Sequence, residues 1–177
     1  MVYKVLKFGG STLKTKQDFK RVVDIIAVEL ANGNLPIPVV SAMKGVTDRI
    51  IQSLDRVFNG LGLEPGVFVK NLFKEHVDAL PDSDNPSLAF IEEFENLEHV
   101  LGYVKTSGEL NDSAYAFAIS RGARFTSLIL SEHLMLNGIK NQCFSGEELL
   151  ITDENYRDAM VNLDKTQMKM IHEFEEP

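Results

Sequence analysis

Apolar and polar residues alternate in blocks along the chain, and the blocks change period. Val2-Tyr3-Lys4-Val5-Leu6 is a strand-like apolar run that reads as a buried first strand. After a polar segment, Phe19, Val22, Val23, Ile26, Ala27 and Leu30 recur at helical spacing. They form one apolar face, closed by Asn32-Gly33. Leu35-Pro36-Ile37-Pro38 feeds Val39-Val40, a second short strand. Strand, helix and strand in about forty residues predict a βαβ unit with a parallel pair.

The rest of the chain reads mainly as helix. Ile50, Ile51, Leu54, Val57 and Phe58 share one face, and residues 60–66 form a turn. Val69, Leu72, Phe73, His76, Val77 and Leu80 mark a third helix, and a Pro, Asp, Ser and Asn loop at 81–86 ends it. Ile91, Phe94, Leu97, Leu101 and Val104 mark a fourth. Asn111-Asp112-Ser113 is placed to cap a short helix to Ile119, and a separate helix runs through Phe125, Leu128, Ile129 and Leu134. Residues 139–144 and Leu149-Leu150-Ile151 read as further strands, and Leu163, Met170, Ile171 and Phe174 as a last helix. The predicted class is α/β: a mainly parallel sheet flanked by helices in one domain.

Composition narrows the function. The chain has 177 residues and a net charge of −8, without the basic face of a general nucleic-acid binder. One cysteine, Cys143, excludes an internal disulfide and fits a reducing cytoplasm. No signal peptide is evident, and no apolar run is long enough to cross a bilayer. His76 lies on an apolar face and reads as a packed core residue. His99, His133, His172 and Cys143 lack metal-ligand spacing. Glu92, Glu93 and Glu95 read as a solvated helix face.

Two loops carry candidate chemistry. Lys7-Phe8-Gly9-Gly10-Ser11-Thr12 follows the first strand. Glycines let backbone N–H groups approach phosphate oxygens, and an ammonium suits the charge that moves in phosphoryl transfer. The helix that follows offers its N-terminal dipole to the same anion. Taken alone, the hexapeptide is also compatible with a plain turn. Ser41-Ala42-Met43-Lys44-Gly45-Val46-Thr47-Asp48 follows the second strand. Ser41 and Thr47 supply hydroxyls there, and Thr47 is equally placed to cap the next helix. In open α/β sheets ligands gather at such strand ends.

Together these stretches resemble the first half of the aspartokinase catalytic domain, in the amino-acid kinase superfamily. Lys7-Phe8-Gly9-Gly10-Ser11 matches that family's opening motif, and Val39-Val40-Ser41-Ala42-Met43-Lys44-Gly45-Val46-Thr47-Asp48 its second. Ser120-Arg121-Gly122-Ala123-Arg124 followed by Ser127 resembles the third, and Ile151-Thr152-Asp153 a later landmark. The resemblance implies the N-terminal, amino-acid-binding lobe of a carbamate kinase-like fold over residues 1–177, with a helical insertion at about 65–104.

It further implies ATP- and Mg2+-dependent phosphorylation of the L-aspartate side chain, a first step toward lysine, threonine and methionine, in the cytoplasm. By resemblance Lys7 stabilises the transferring phosphoryl group. Gly9, Gly10 and Ser11 hold the phosphates, and Ser41 and Thr47 contact the amino acid. Ala123 stands where the family has a substrate-holding glutamate, a role not transferred to Glu109. The family's nucleotide lobe and ACT domains have no counterpart here. The expectation is a fragment with little activity alone, completed by a C-terminal lobe or second subunit, with a homo-oligomer as an option. The alternatives are a kinase for glutamate, acetylglutamate or a nucleoside monophosphate, and a non-catalytic binding or regulatory subunit.

Overall fold

A parallel pair of strands forms where the βαβ pattern places it, and both strands outrun their apolar centres. The structure, a computed structural model, describes residues 2–82 and 85–175. Residues 83 and 84 of the predicted loop, and the last two residues, lie outside that description. β1 is Val2–Phe8 and β2 is Asn34–Val40, joined by α1 (Lys16–Ala31). They pair in parallel, with Val5 opposite Ile37 and Lys7 opposite Val39. The class is α/β, as expected, with the parallel sheet flanked by helices.

The expectation of a buried first strand is corrected. Tyr3 and Val5 are 73% and 69% exposed, and Ile37 and Val39 beside them are also exposed. A parallel strand is buried on both sides only when helices cover both faces. Here the face carrying Leu6, Phe8 and Val40 packs against the core, and the Tyr3–Val5–Lys7 face stays open. Within α1, Phe19, Val22, Val23 and Ile26 are buried, whereas Ala27 and Leu30 are exposed. The apolar stripe is narrower than predicted. Glu29, beside them, turns to Lys4 of β1 at 2.7 Å and to Asn34 at 2.7 Å.

The Ser41 N–H donates to the Phe8 carbonyl at 3.2 Å. In a parallel ladder alternate residues of a strand bond to the same neighbour. The odd-numbered amides of β2 therefore face β1, and positions 36 and 38 face away from it. Both of those are proline.

Five helices build the core: α1, α2 (Val46–Phe58), α3 (Pro65–Val77), α4 (Leu88–Ser107) and α5 (Asp112–Leu136). Ile50, Leu54, Leu72, Leu97, Leu101 and Ile129 are fully buried between them. Phe94 of α4 stacks on Phe125 of α5 with ring centroids 3.8 Å apart. His76 is buried as expected, edge-on to both rings. α3 stops at Val77, short of Leu80, which packs in the turn beyond it.

Three further expectations are corrected. The two helices predicted around residue 120 are one continuous α5, with Asn111 as N-cap. A lone Gly122 costs about 1 kcal/mol in a helix, which the flanking turns on either side outweigh. Residues 139–144 are not a strand, and α6 (Gly146–Leu149) occupies the start of the next one. Around Ile151 only the bridge from Thr152 to Val161 forms. α7 (Leu163–Glu175) leaves Leu163, Ile171 and Phe174 exposed.

Candidate functional site

Lys7 is the last residue but one of β1, on the exposed face of the sheet, and points along it toward β2. Its Nζ donates to Ser41 Oγ at 2.5 Å and to the Phe8 carbonyl at 3.4 Å. The chain then turns at once. Gly9 is extended, Gly10–Thr12 forms a 3-10 turn, and the Thr12 amide and hydroxyl both donate to the Gly9 carbonyl, at 2.9 and 2.6 Å. Gly9 has open space where a Cβ would stand. Gly10 does not: a Cβ there would lie 2.3 Å from the Ala42 carbonyl oxygen. The two loops thus meet backbone to backbone, and only glycine permits it. Ser11 is exposed beside them.

The second loop is held by α5. Gly45, in the left-handed region at φ 80°, is the N-cap of α2. Thr47 does not cap that helix; it is half-buried in the first turn. Met43 is buried, and its N–H donates to Thr126 Oγ1 at 3.1 Å. Thr126 donates its own proton to the Gly122 carbonyl at 3.0 Å. A Cβ on Gly122 would lie 2.9 Å from Ala42 Cβ and 3.2 Å from Val46 Cγ1. Gly122 and Thr126, one helical turn apart, thus form the seat on which residues 42–46 rest.

The structure therefore brings Lys7, Gly10 and Ser41 together. It places Gly9 and Ser11 on the same turn and Thr47 at the far end of the second loop. Ala123 is half-buried on α5, next to Gly122. Among the described residues Ser127 bonds to its own helix, donating to the Arg124 carbonyl at 2.8 Å. Glu109 accepts from the Tyr103 hydroxyl at 3.3 Å. The helix dipole expected at the glycines is not aimed there. α1 begins at Lys16, and its amino end is closed by a capping box of Thr15 and Asp18. The Thr15 hydroxyl, helped by backbone amides, holds the Asp18 carboxyl below its ordinary value.

The opposite face of α5 carries a second cluster. Arg121, almost fully buried, pairs with Glu93 of α4 at 2.6 Å and with Glu147 of α6, and lies 4.1 Å above the Phe117 ring. Arg124 pairs with the same Glu93 at 3.1 Å and with Glu148 at 3.6 Å. Glu93 is thus not the solvated residue that its acidic neighbours suggest; it is the shared anion of two arginines.

Two surface hollows, of about 500 and 410 Å3, lie away from both loops. One is lined by Ser87, Leu128 and Met135, the other by Lys20, Asp82 and His133. Neither includes a predicted site residue. The loop junction is an open edge, with Lys7, Ser11 and Thr12 exposed. Among the described residues no group of three His, Cys, Asp or Glu side chains is arranged to hold a metal ion, and no helix is long and apolar enough to cross a membrane.

Sequence reasoning missed Thr126 and Glu93. For Thr126 a signal was present: a hydroxyl four residues after the glycine of the third motif, on the same helical face. For Glu93 there was none, because its partners come from α5.

Comparison with known proteins adds a family. The sequence model described as the amino acid kinase family matches residues 3–173. Over 53 residues the chain is 40% identical to aspartokinases of Rickettsia bellii and Rickettsia prowazekii. That stretch is 30% of this chain and only 13% and 12% of those proteins. Among solved structures, E. coli aspartokinase III in complex with aspartate and ADP (R-state) matches with a TM-score of 0.78 and 19% identity. The match covers 100% of this chain and 38% of that one. Clostridium acetobutylicum aspartate kinase matches with a TM-score of 0.68 and 20% identity, over 98% of this chain and 36% of that one. The chain therefore spans well under half the length of the proteins it matches.

Proposed function

This chain belongs to the amino acid kinase family, and from that premise we propose that it is the amino-acid-binding lobe of an aspartokinase. Its substrates are then L-aspartate and ATP. The observation that carries the reading is the contact of Lys7 with Ser41, which joins the two motif loops at adjacent strand ends. The stretch that is 40% identical to named aspartokinases favours aspartate over other acceptors.

The chemistry asks little covalent help of the protein. An aspartate side chain has an ordinary pKa of about 3.9, so at neutral pH it is already the nucleophile and needs no general base. One carboxylate oxygen attacks the γ-phosphorus. The bond from that phosphorus to the β–γ bridging oxygen breaks, and ADP leaves with the electron pair. Both reactants are anions, so the site must supply positive charge and alignment. Lys7 supplies the charge. The amides of Gly9 and Gly10, with Ser11, hold phosphate oxygens. Ser41 and Thr47 hold the amino acid, with Ala123 beside them. Magnesium neutralises the phosphates when bound; it would ride mainly on the nucleotide, as it commonly does in kinases.

The open loop junction fits half of a cleft. The remainder of such a kinase, on the same polypeptide or a second one, contributes the nucleotide lobe, and residues 65–104 form a helical insertion in this one. Ala123 favours a second reading, a non-catalytic binding subunit, because the family's glutamate is missing there. Aspartate-dependent ADP release separates the readings, with glutamate, acetylglutamate and nucleoside monophosphates as rival acceptors. It is measured on the chain completed by its nucleotide lobe and on the Ala123→Glu form of the same completed protein. Release with aspartate alone supports the kinase. No release from either protein, with aspartate still bound, supports the binding subunit.

A further inference from the structure

We propose that Thr126 is a positioning residue, which sets the acceptor-binding loop at the height where Ser41 meets Lys7. The role rests on the reading of residues 41–47 as the loop that holds the amino acid.

Thr126 is fully buried, and its hydroxyl is committed at both ends. A hydroxyl has one proton, and here it goes to the Gly122 carbonyl, one turn back along α5. The lone pairs are left to accept, and the buried Met43 N–H points at them from 3.1 Å. That amide sits in the middle of the loop, two residues after Ser41 and four before Thr47. Without Thr126 it would be a buried donor with nothing to satisfy it. The same seat is set sterically by Gly122, which lets Ala42 and Val46 close onto the helix. Ala42 in turn presents its carbonyl to Gly10 of the first loop. One hydrogen bond from α5 therefore fixes a loop that touches the first at two points, Ala42 on Gly10 and Ser41 on Lys7. Thr126 itself is sealed beneath the loop and touches no reactant.

Two substitutions separate the hydroxyl from the shape. Thr126→Val keeps the shape and removes the acceptor; Thr126→Ser keeps the acceptor and removes a methyl group. The first readout is hydrogen exchange at the Met43 amide, followed by NMR in the whole chain. The second, on the chain completed by its nucleotide lobe, is the affinity for L-aspartate against that for ATP, by calorimetry. Thr126→Val is expected to speed Met43 exchange at least about tenfold and to weaken aspartate binding about five- to twentyfold, with ATP binding within about twofold. Thr126→Ser is expected to restore both values. If the valine variant does not fold, Thr126→Ala takes its place. Unchanged Met43 exchange in Thr126→Val overturns the proposal. So does an equal loss of aspartate and ATP affinity, since general damage would act on both. If Met43 responds as expected and even the unsubstituted protein fails to bind aspartate, the acceptor reading of the loop falls, and the hydrogen bond stands as a structural anchor alone.

Discussion

The ammonium of Lys7 and the hydroxyl of Ser41 lie 2.5 Å apart, each at the carboxyl end of one of two adjacent parallel strands. The pair joins the residue assigned to the moving phosphoryl charge with one assigned to the acceptor. In the kinase completed by its nucleotide lobe, replacing Lys7 by Ala is expected to lower aspartate-dependent ADP release by about 10²–10³, the usual cost of losing a charge-stabilising donor. Ser41→Ala is expected to act mainly on the KM for aspartate. Near-normal turnover in Lys7→Ala removes Lys7 from the mechanism.

Neighbouring glycines are expected to respond oppositely to alanine. At Gly10 the added Cβ would meet the Ala42 carbonyl, a backbone atom that cannot swing aside. Gly10→Ala should cost about 1–3 kcal/mol and part the two loops. Gly9→Ala meets nothing and should stay within about 0.5 kcal/mol. Denaturant midpoints of the two variants measure the contrast. Equal midpoints would mean that the seam between the loops is not tight.

The arginine cluster gives a third contrast. Glu93 is half-buried and serves two arginines, one of them nearly sealed from solvent. Glu93→Ala is expected to cost about 3 kcal/mol, because it strips the main partner from a buried charge. Glu147 is half exposed, and Glu147→Ala should cost about 1 kcal/mol or less. Thermal or urea unfolding ranks them, and a larger loss at Glu147 would reverse the assignment.

Acid is expected to weaken the fold in two steps. Burial pushes His76 below its ordinary value; its Nδ1 sits 2.8 Å from the Leu72 carbonyl and its Nε2 has no hydrogen-bond partner among the described residues. Burial lowers His133 as well. Each takes up a proton less readily in the folded chain than in the unfolded one, which is protonated below about pH 6.5, so stability falls as the pH drops through that value. The carboxyls of Glu75, bonded by Arg49, and of Asp18 and Asp82 are held low, so their contribution is lost further down, below about pH 4.5. His76→Phe should shrink the upper step to the share of His133 and leave the lower one. Urea midpoints at pH 7.5, 5.5 and 4 test this, and an unchanged upper step in the variant would clear His76 of the effect.

Local pattern revealed much of this molecule. The parallel βαβ unit followed from a change of apolar period, and the two loops at its strand ends were visible as glycines and hydroxyls after apolar runs. What stayed hidden depends on partners distant in the chain. Glu93 looks solvated until α5 supplies two arginines. Val5 looks buried until one face of its sheet proves uncovered. Gly122 looks like a helix boundary until Ala42 and Val46 close onto it. The hydroxyl of Thr126 is visible one helical turn after Gly122, but nothing in the sequence says that the amide of Met43 needs it as an acceptor.

Pro36 and Pro38 have no N–H to offer along the outer rim of β2, where their positions face. That margin cannot present a regular row of donors to another chain, so it resists enlargement of the sheet and the stacking of stray strands. Growth of the sheet, whether by further sequence or by a visiting polypeptide, is directed to the free side of β1, next to the strand that carries Lys7.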